Sequence, residues 1–194
     1  MGLITRTPEI DKIIAELIGI EGDGNGRIDP NDAGGATRWG VTEAVARADG
    51  YKGAMKDYPR DMAELLYLRN YFVKPHFDQV LLRSRPLAAE LFEIEVNLPP
   101  SQAATFLQRA LNALNDPDGD GVVNYPQLKV DGDLGEKSFI ALDAFLKLRK
   151  TQGEHCLLAL INSQQAVYYL GRTEDRPKNK KYVFGWTMNR IQLA

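Results

Sequence analysis

Apolar residues recur at spacings of three and four along most of this chain, the period of helices that bury one face. Ile10, Ile13, Ile14, Leu17 and Ile18 form the first such stripe, starting after Pro8. Thr42 is placed to cap a short helix, EAVARAD, which Gly50 closes. Asp61 and Glu64 have capping-box spacing ahead of LLYLRNYF. A further helix, PLAAELFEIEV, opens with Pro86 in its first turn, where a missing N–H does no harm. In SQAATFLQRALNAL, Ala104, Leu107, Leu111 and Leu114 share one face.

The texture then changes. NDPDGDGVVNYPQLKVDGDLG is polar and glycine-rich, with room for two very short extended pieces. Asp133 and Glu136 suit a cap for the helix KSFIALDAFLKLRK, and a long helix comes next through CLLALINSQQAVYYLG. The polar patch RTEDRPKNKK separates it from a last segment, YVFGWTMNRIQL. These elements predict a mainly α protein. A natural division near Val96 to Pro100 leaves an N-terminal lobe over residues 1–97 and a C-terminal lobe over 98–194.

Charge narrows the function classes. Lysine plus arginine number 24 and acids 26 in 194 residues, a formal net charge of −2. That balance supplies no electrostatic reason to wrap nucleic acid. The single cysteine, Cys156, cannot form an internal disulfide, and its setting in GEHCLLALI reads as plain helical core. His76 and His155 are too few and too separated for a zinc site. Charges punctuate the N-terminus MGLITRTPEIDKIIAELIG, so it reads neither as a signal peptide nor as a membrane span. The expectation is a soluble monomer made in the cytoplasm, without stable membrane insertion.

Two stretches carry candidate chemistry. Continuing Ile10, Ile14 and Leu17 at the same spacing leads to position 21, where an apolar residue is due and Glu21 stands instead. Burial and the partial negative charge of a helix C-terminus would both hold that carboxyl protonated, as a general acid requires. The competing reading is a helix-end glutamate turned to solvent. The stretch from Ile20 to Thr42, IEGDGNGRIDPNDAGGATRWGVT, then delivers six glycines and the further carboxylates Asp23, Asp29 and Asp32. Glycosidases need two carboxyl-level functions flanking one sugar–sugar bond, and a glycine-rich backbone lets such groups converge. Trp39 offers either a face for a sugar ring or a core plug for the loop.

In the second stretch, Asp116, Asp118, Asp120, Gly121 and Asn124 fall at the spacing of an EF-hand loop. Gln127 stands where a bidentate glutamate belongs, and Pro126 where a helix should have begun. A solvated turn is the favoured expectation, with weak Ca²⁺ binding as the alternative. The run Lys178, Lys180, Lys181 reads as a solvated loop that could touch anionic polymers.

Glu21-Gly22 followed by DPNDAGGATRWGVT resembles the signature of the N-acetylmuramidases of glycoside hydrolase family 108, in which a catalytic glutamate precedes a D-P-x-D-x-G-G-x-T-x-x-G-[IV]-T loop. The matching positions are Asp29, Pro30, Asp32, Gly34, Gly35, Thr37, Gly40 and Thr42. YFVKPHFDQV and AAELFEIEVN, including Asn97, are similar to the family's next segments. TFLQRALN and VDGDLGEKSFIALDAF resemble the small peptidoglycan-binding domain fused behind it, and KKYVFGWTMNRI its closing segment. Two departures stand out. EGDGNGRID is longer than the family's compact turn and lacks its aromatic, and VNLPPS replaces an Asn-Ser/Thr-Gly turn.

The resemblance implies a lysozyme-like helical lobe, with a glycine-rich loop after its first helix, and a small helical wall-binding lobe. It implies hydrolysis of the β-1,4 bond between N-acetylmuramic acid and N-acetylglucosamine, with Glu21 as general acid and no metal or cofactor required. By analogy with phage lysozymes of unrelated sequence, Asp29 or Asp32 positions or activates water and Thr37 helps hold it. Asp32, Trp39 and Asn97 are the expected substrate contacts. Inverting and retaining outcomes both stand, because they depend on carboxylate separation. The partner would be peptidoglycan glycan strands, reached in the periplasm after release, as for a phage endolysin or a secretion-associated muramidase. Outside catalysis, the loop could merely shape a wall-binding groove, or Asp116 to Asn124 could make a Ca²⁺-responsive interaction protein.

Overall fold

Pro8–Glu21 forms α1, and its apolar stripe is the first piece of core: Ile10, Ile13, Ile14, Leu17 and Ile18 are all buried. Each such side chain contributes roughly 1.5–3 kcal/mol of burial before the entropy of ordering is counted. The computed structural model describes residues 6–21, 36–115 and 121–191; the side chains of Ile20 and Glu21 lie outside the described residues. Contacts divide the chain into two units, Met1–Lys74 and Pro75–Ala194.

In the first unit a two-stranded antiparallel hairpin, β1 (Thr37–Arg38) and β2 (Val41–Thr42), leads into α2 (Glu43–Ala48). Thr42 caps α2 as expected, its hydroxyl accepting from the Val45 N–H at 3.4 Å. Gly50 closes the helix at φ +93°, a conformation that costs glycine least. The expected capping box at Asp61 and Glu64 is not formed. α3 (Arg60–Tyr67) starts at Arg60 after Pro59, and Glu64 turns outward to Arg60 at 3.0 Å and Arg6 at 2.6 Å. Two guanidiniums compete better for that carboxylate than a neutral backbone N–H. A π-helical turn, Leu68–Val73, extends α3.

The second unit opens at His76, left-handed at φ +65°, before α4 (Phe77–Leu81). α5 (Arg85–Asn97) begins with Pro86 in its first turn, and the Ser84 hydroxyl caps it by accepting from the Leu87 N–H at 3.1 Å. The same hydroxyl donates to Glu154 at 2.6 Å, tying the start of α5 to α7 (Glu136–Asp175). α5 packs on α4, α6 (Gln102–Ala113) and α7, so the contact boundary falls at Lys74/Pro75 while α5 itself runs to Asn97. Ala104, Leu107 and Leu111 are buried on α6, and Leu114 is the half-buried residue that ends it.

α7 is two helices meeting at Lys150, whose φ of 50° and ψ of −138° separate KSFIALDAFLKLRK from the helix through CLLALINSQQAVYYLG. Its N-cap is Gly135, not Asp133, because Asp133 gives its N–H to the Asp131 carboxylate at 3.1 Å. α8 (Lys180–Arg190) lies on α7 through Trp186, 5.1 Å from the Tyr169 ring and 5.8 Å from that of Tyr182. Lys180 and Lys181 open this helix instead of lying in a loop. Among the described residues no helix is long and apolar enough to cross a membrane.

Between α6 and α7 the chain is held by carboxamides. Gln108, Asn112 and Asn115 recur at helical spacing along one face of α6 and its end. The Gln108 oxygen accepts from the N–H groups of Asp131 and Gly132, and its NH2 donates to Asp131 and the Asp133 carbonyl, all within 3.1 Å. Asn112 takes the Leu128 N–H and donates to the Leu128 carbonyl, both at 2.8 Å. Asn115 does the same for Tyr125, at 3.1 and 2.7 Å. Three side chains thus mimic a β-ladder against a stretch with no strand partner, which gives VDGDLG its structural role. Asn112→Ala leaves the Leu128 N–H and carbonyl unpaired and should cost roughly 2–4 kcal/mol. Urea unfolding measures this, and a loss below about 0.5 kcal/mol, the ordinary surface range, would contradict the ladder.

Candidate active site

The hairpin after α1 is built around an unusual turn. Trp39 and Gly40 occupy its two central positions at φ +54° and +75°, the left-handed pair that matches strand twist in a two-residue hairpin. A bulky residue rarely adopts that conformation unless its surroundings impose it. Here they do. The Trp39 indole N–H donates to the Tyr58 carbonyl at 3.1 Å, and the Tyr67 hydroxyl donates to the Trp39 carbonyl at 3.1 Å. The Arg38 and Arg60 guanidiniums lie over the indole at 5.5 and 5.6 Å from its centroid. Tyr58 is fully buried, and that burial raises its hydroxyl pKa, keeping it neutral. The Glu43 N–H closes the hairpin base on the Ala36 carbonyl at 2.8 Å.

Thr37 faces Thr42 across this hairpin. It is half-buried, and its hydroxyl has no protein partner among the described residues, leaving it free there to hold a water or a substrate hydroxyl. The structure brings Thr37 and Trp39 together on one rigid turn. A sugar stacking on Trp39 would share the indole with two guanidiniums, both of them donors suited to hydroxyl or carboxylate oxygens.

Glu21 is the last residue of α1, and its side chain lies outside the described residues, as do Asp29 and Asp32. Asn97 belongs to the second unit, where it ends α5 and spends its NH2 on the Glu93 carbonyl and carboxylate, both at 2.9 Å. Of the proposed calcium ligands, Asp116, Asp118 and Asp120 lie outside the described residues. Asn124 is described, with its NH2 directed at the Asn115 carbonyl at 3.5 Å. Cys156 is not core: it is half-buried and lines a cavity beside α6.

Sequence reasoning missed the polar cluster of the second unit. Glu90 is 5% exposed on α5, on the apolar stripe that carries Leu87 and Ile94. Asn162 hydrogen-bonds it and Glu93 lies one turn away, yet burial dominates and pushes its carboxyl up to about 8. Glu93 accepts from Gln165 at 3.0 Å and pairs with Arg190 at 3.4 Å. The stripe test that singles out Glu21 would also have found Glu90. The partners of Trp39 carry no such signal, since Tyr58 and Tyr67 lie 19 and 28 residues away.

Comparison with known proteins gives the class to which this helical chain is similar. Residues 14–98 match the family model Glycosyl hydrolase 108, and residues 102–191 match the model Predicted Peptidoglycan domain. The protein is a peptidoglycan hydrolase of the glycoside hydrolase type. Its N-terminal segment is thus similar to the glycosyl hydrolase 108 family, with a segment similar to a peptidoglycan domain behind it. The structure of Brucella abortus SagA is similar in fold, with a TM-score of 0.56 at 20% identity, over 92% of this chain and 95% of that one. No curated protein matches the chain.

Proposed function

We propose that the protein is an N-acetylmuramidase that hydrolyses the β-1,4 bond between N-acetylmuramic acid and N-acetylglucosamine, with Glu21 as general acid. The observation carrying this reading is the end of α1: the buried stripe through Ile10, Ile14 and Leu17 continues, at helical spacing, to Glu21 as the final residue of the helix. A helix C-terminus carries partial negative charge, a field that favours the neutral form of a carboxyl there. Asp29 or Asp32 activates or positions water, and the Thr37 hydroxyl helps hold it. Asp32, Trp39 and Asn97 contact the sugars. Residues 1–97 act as the catalytic lobe and 98–194 as the wall-binding lobe.

Carboxylate chemistry of this kind runs without a metal, and weak Ca²⁺ binding at Asp116, Asp118, Asp120 and Asn124 would be structural. The enzyme works as a monomer on glycan strands, in the periplasm after release, as an endolysin does. Mass spectrometry of digested sacculi tests the reaction and the bond together. Disaccharide products with a reducing N-acetylmuramic acid are expected. Products with reducing N-acetylglucosamine, anhydro ends or cut peptides would overturn the assignment.

A further inference from the structure

Two cavities lie in line between α6 and the second half of α7. The first, about 440 Å³, is walled by Ala110, Ala113, Val130, Leu160 and Val167, with Arg109 at its rim. The second, about 430 Å³, shares Ala113 and continues past Gly153 and Cys156 to Arg149. On α7 the lining residues Gly153, Cys156, Leu160, Ser163 and Val167 recur at spacings of three and four, so they form one helix face. Val130 and Val167 are large apolar side chains left exposed along it. From Gly153 to Val167 that face runs roughly 20 Å at 1.5 Å per residue.

The chemistry of this furrow is selective. Among the described residues no acidic side chain lines either cavity, and Arg109 and Arg149, both exposed, have no ion-pair partner. A guanidinium free at each end fits carboxylates, which it can hold through paired N–H groups. The walls between are methyl-sized and aliphatic. Sugar sites use exposed aromatic faces, and here the first cavity has no aromatic lining among the described residues, while Phe145 in the second is only 3% exposed.

We propose that this furrow binds the stem peptide of peptidoglycan, with its carboxylates on Arg109 and Arg149 and its alanine methyls along Ala110, Leu160 and Val167. An extended peptide of five residues reaches about 17 Å, which suits the length of the face. The inference rests on the chain acting on peptidoglycan, and it assigns the second unit to the peptide while the hairpin unit addresses the glycan. Peptide recognition would concentrate the enzyme on uncleaved, cross-linkable strands, where such stems are dense.

The test titrates the full-length, isotope-labelled protein with a synthetic stem pentapeptide (L-Ala, γ-linked D-Glu, a diamino acid, D-Ala, D-Ala) and, separately, with chitotetraose. The pentapeptide is expected to move the resonances of Ala110, Val130 and Val167. The double variant Arg109→Glu/Arg149→Glu, confirmed folded by circular dichroism, should bind it about tenfold or more weakly. That variant should cleave peptide-free glycan at the wild-type rate, since neither arginine belongs to the hairpin unit. Unmoved resonances, chitotetraose shifts in the furrow, or charge reversal without effect would each overturn the assignment. Cleavage of sacculi by the wild-type protein, measured in parallel, separates this failure from failure of the muramidase reading. Without that cleavage it is the muramidase reading that falls.

Discussion

Glu21→Gln is expected to slow the lysis of purified sacculi by about two to four orders of magnitude while the protein stays folded. Glutamine keeps the size and shape of the side chain but cannot donate a proton to the leaving sugar oxygen. General acid catalysis is the part of the reaction that water replaces least well, so its loss dominates the rate. Stability should hold or rise slightly, the outcome expected of a general acid whose carboxyl is proposed to be held away from water. Asp29→Asn and Thr37→Ala should cost less, since a neighbouring group or bulk water can partly take over the water-holding role. Turbidity decay measures the rates, and circular dichroism confirms the fold. A folded Glu21→Gln protein lysing sacculi near the wild-type rate would leave Glu21 without a catalytic role.

Glu90→Gln is expected to have the opposite character, with a large effect on stability and on its pH dependence. Glu90 is buried between α5 and α7, with Glu93 nearby on its own helix. The surrounding groups include Tyr169 of α7, held near Gln165 at 3.1 Å, and Arg190 of α8, which pairs with Glu93. Burial raises the Glu90 pKa from 4.5 to about 8, so the native state keeps a proton that the unfolded chain has lost. Native protein therefore binds more protons than unfolded protein between those two values. Stability is accordingly full at and below pH 4.5, declines as pH rises toward 8, and levels off above. Glutamine removes the titration while preserving the hydrogen-bonding shape. At pH 8 the variant should exceed the wild type by on the order of a few kcal/mol, with little difference at acidic pH. Urea unfolding at several pH values measures both slopes. Parallel profiles for the two proteins would show that Glu90 does not titrate in this window.

Helix faces and starts were largely legible in the order of residues. The α1 stripe is buried as spaced, Thr42 caps α2, Gly50 closes it and Pro86 sits in the first turn of α5. The break at Lys150 falls where two separate helical patterns meet. These signals act within a turn or two of the chain, so the sequence contains both partners. Of the candidate site, Glu21 was legible as the residue ending an apolar stripe, and Thr37 and Trp39 as loop residues after it, their proposed roles resting on the resemblance. That Trp39 occupies the left-handed corner of a hairpin was not legible, because nothing near it announces the grip of Tyr58, Tyr67 and Arg60.

Where sequence reasoning went astray, the competing partner was distant. Glu64 has the spacing of a capping residue, but Arg6 stands 58 positions away and its charge prevails. Asp133 has the look of a helix cap, yet it is drawn into the turn that Gln108 organises 25 residues earlier. The carboxamides of Gln108, Asn112 and Asn115 read as ordinary polar positions until a strandless stretch lies beside them.

By itself, then, the sequence determined the helical class, the buried faces, most helix starts and the loop motif similar to the glycosyl hydrolase 108 signature, since these depend on residue type and short-range spacing. Tertiary structure alone decided which carboxylates lose their water, which guanidiniums find a carboxylate and where the furrow between α6 and α7 opens. Desolvation and partner choice are properties of what packs against a side chain. For Glu93 that partner is Gln165, 72 residues further along the chain.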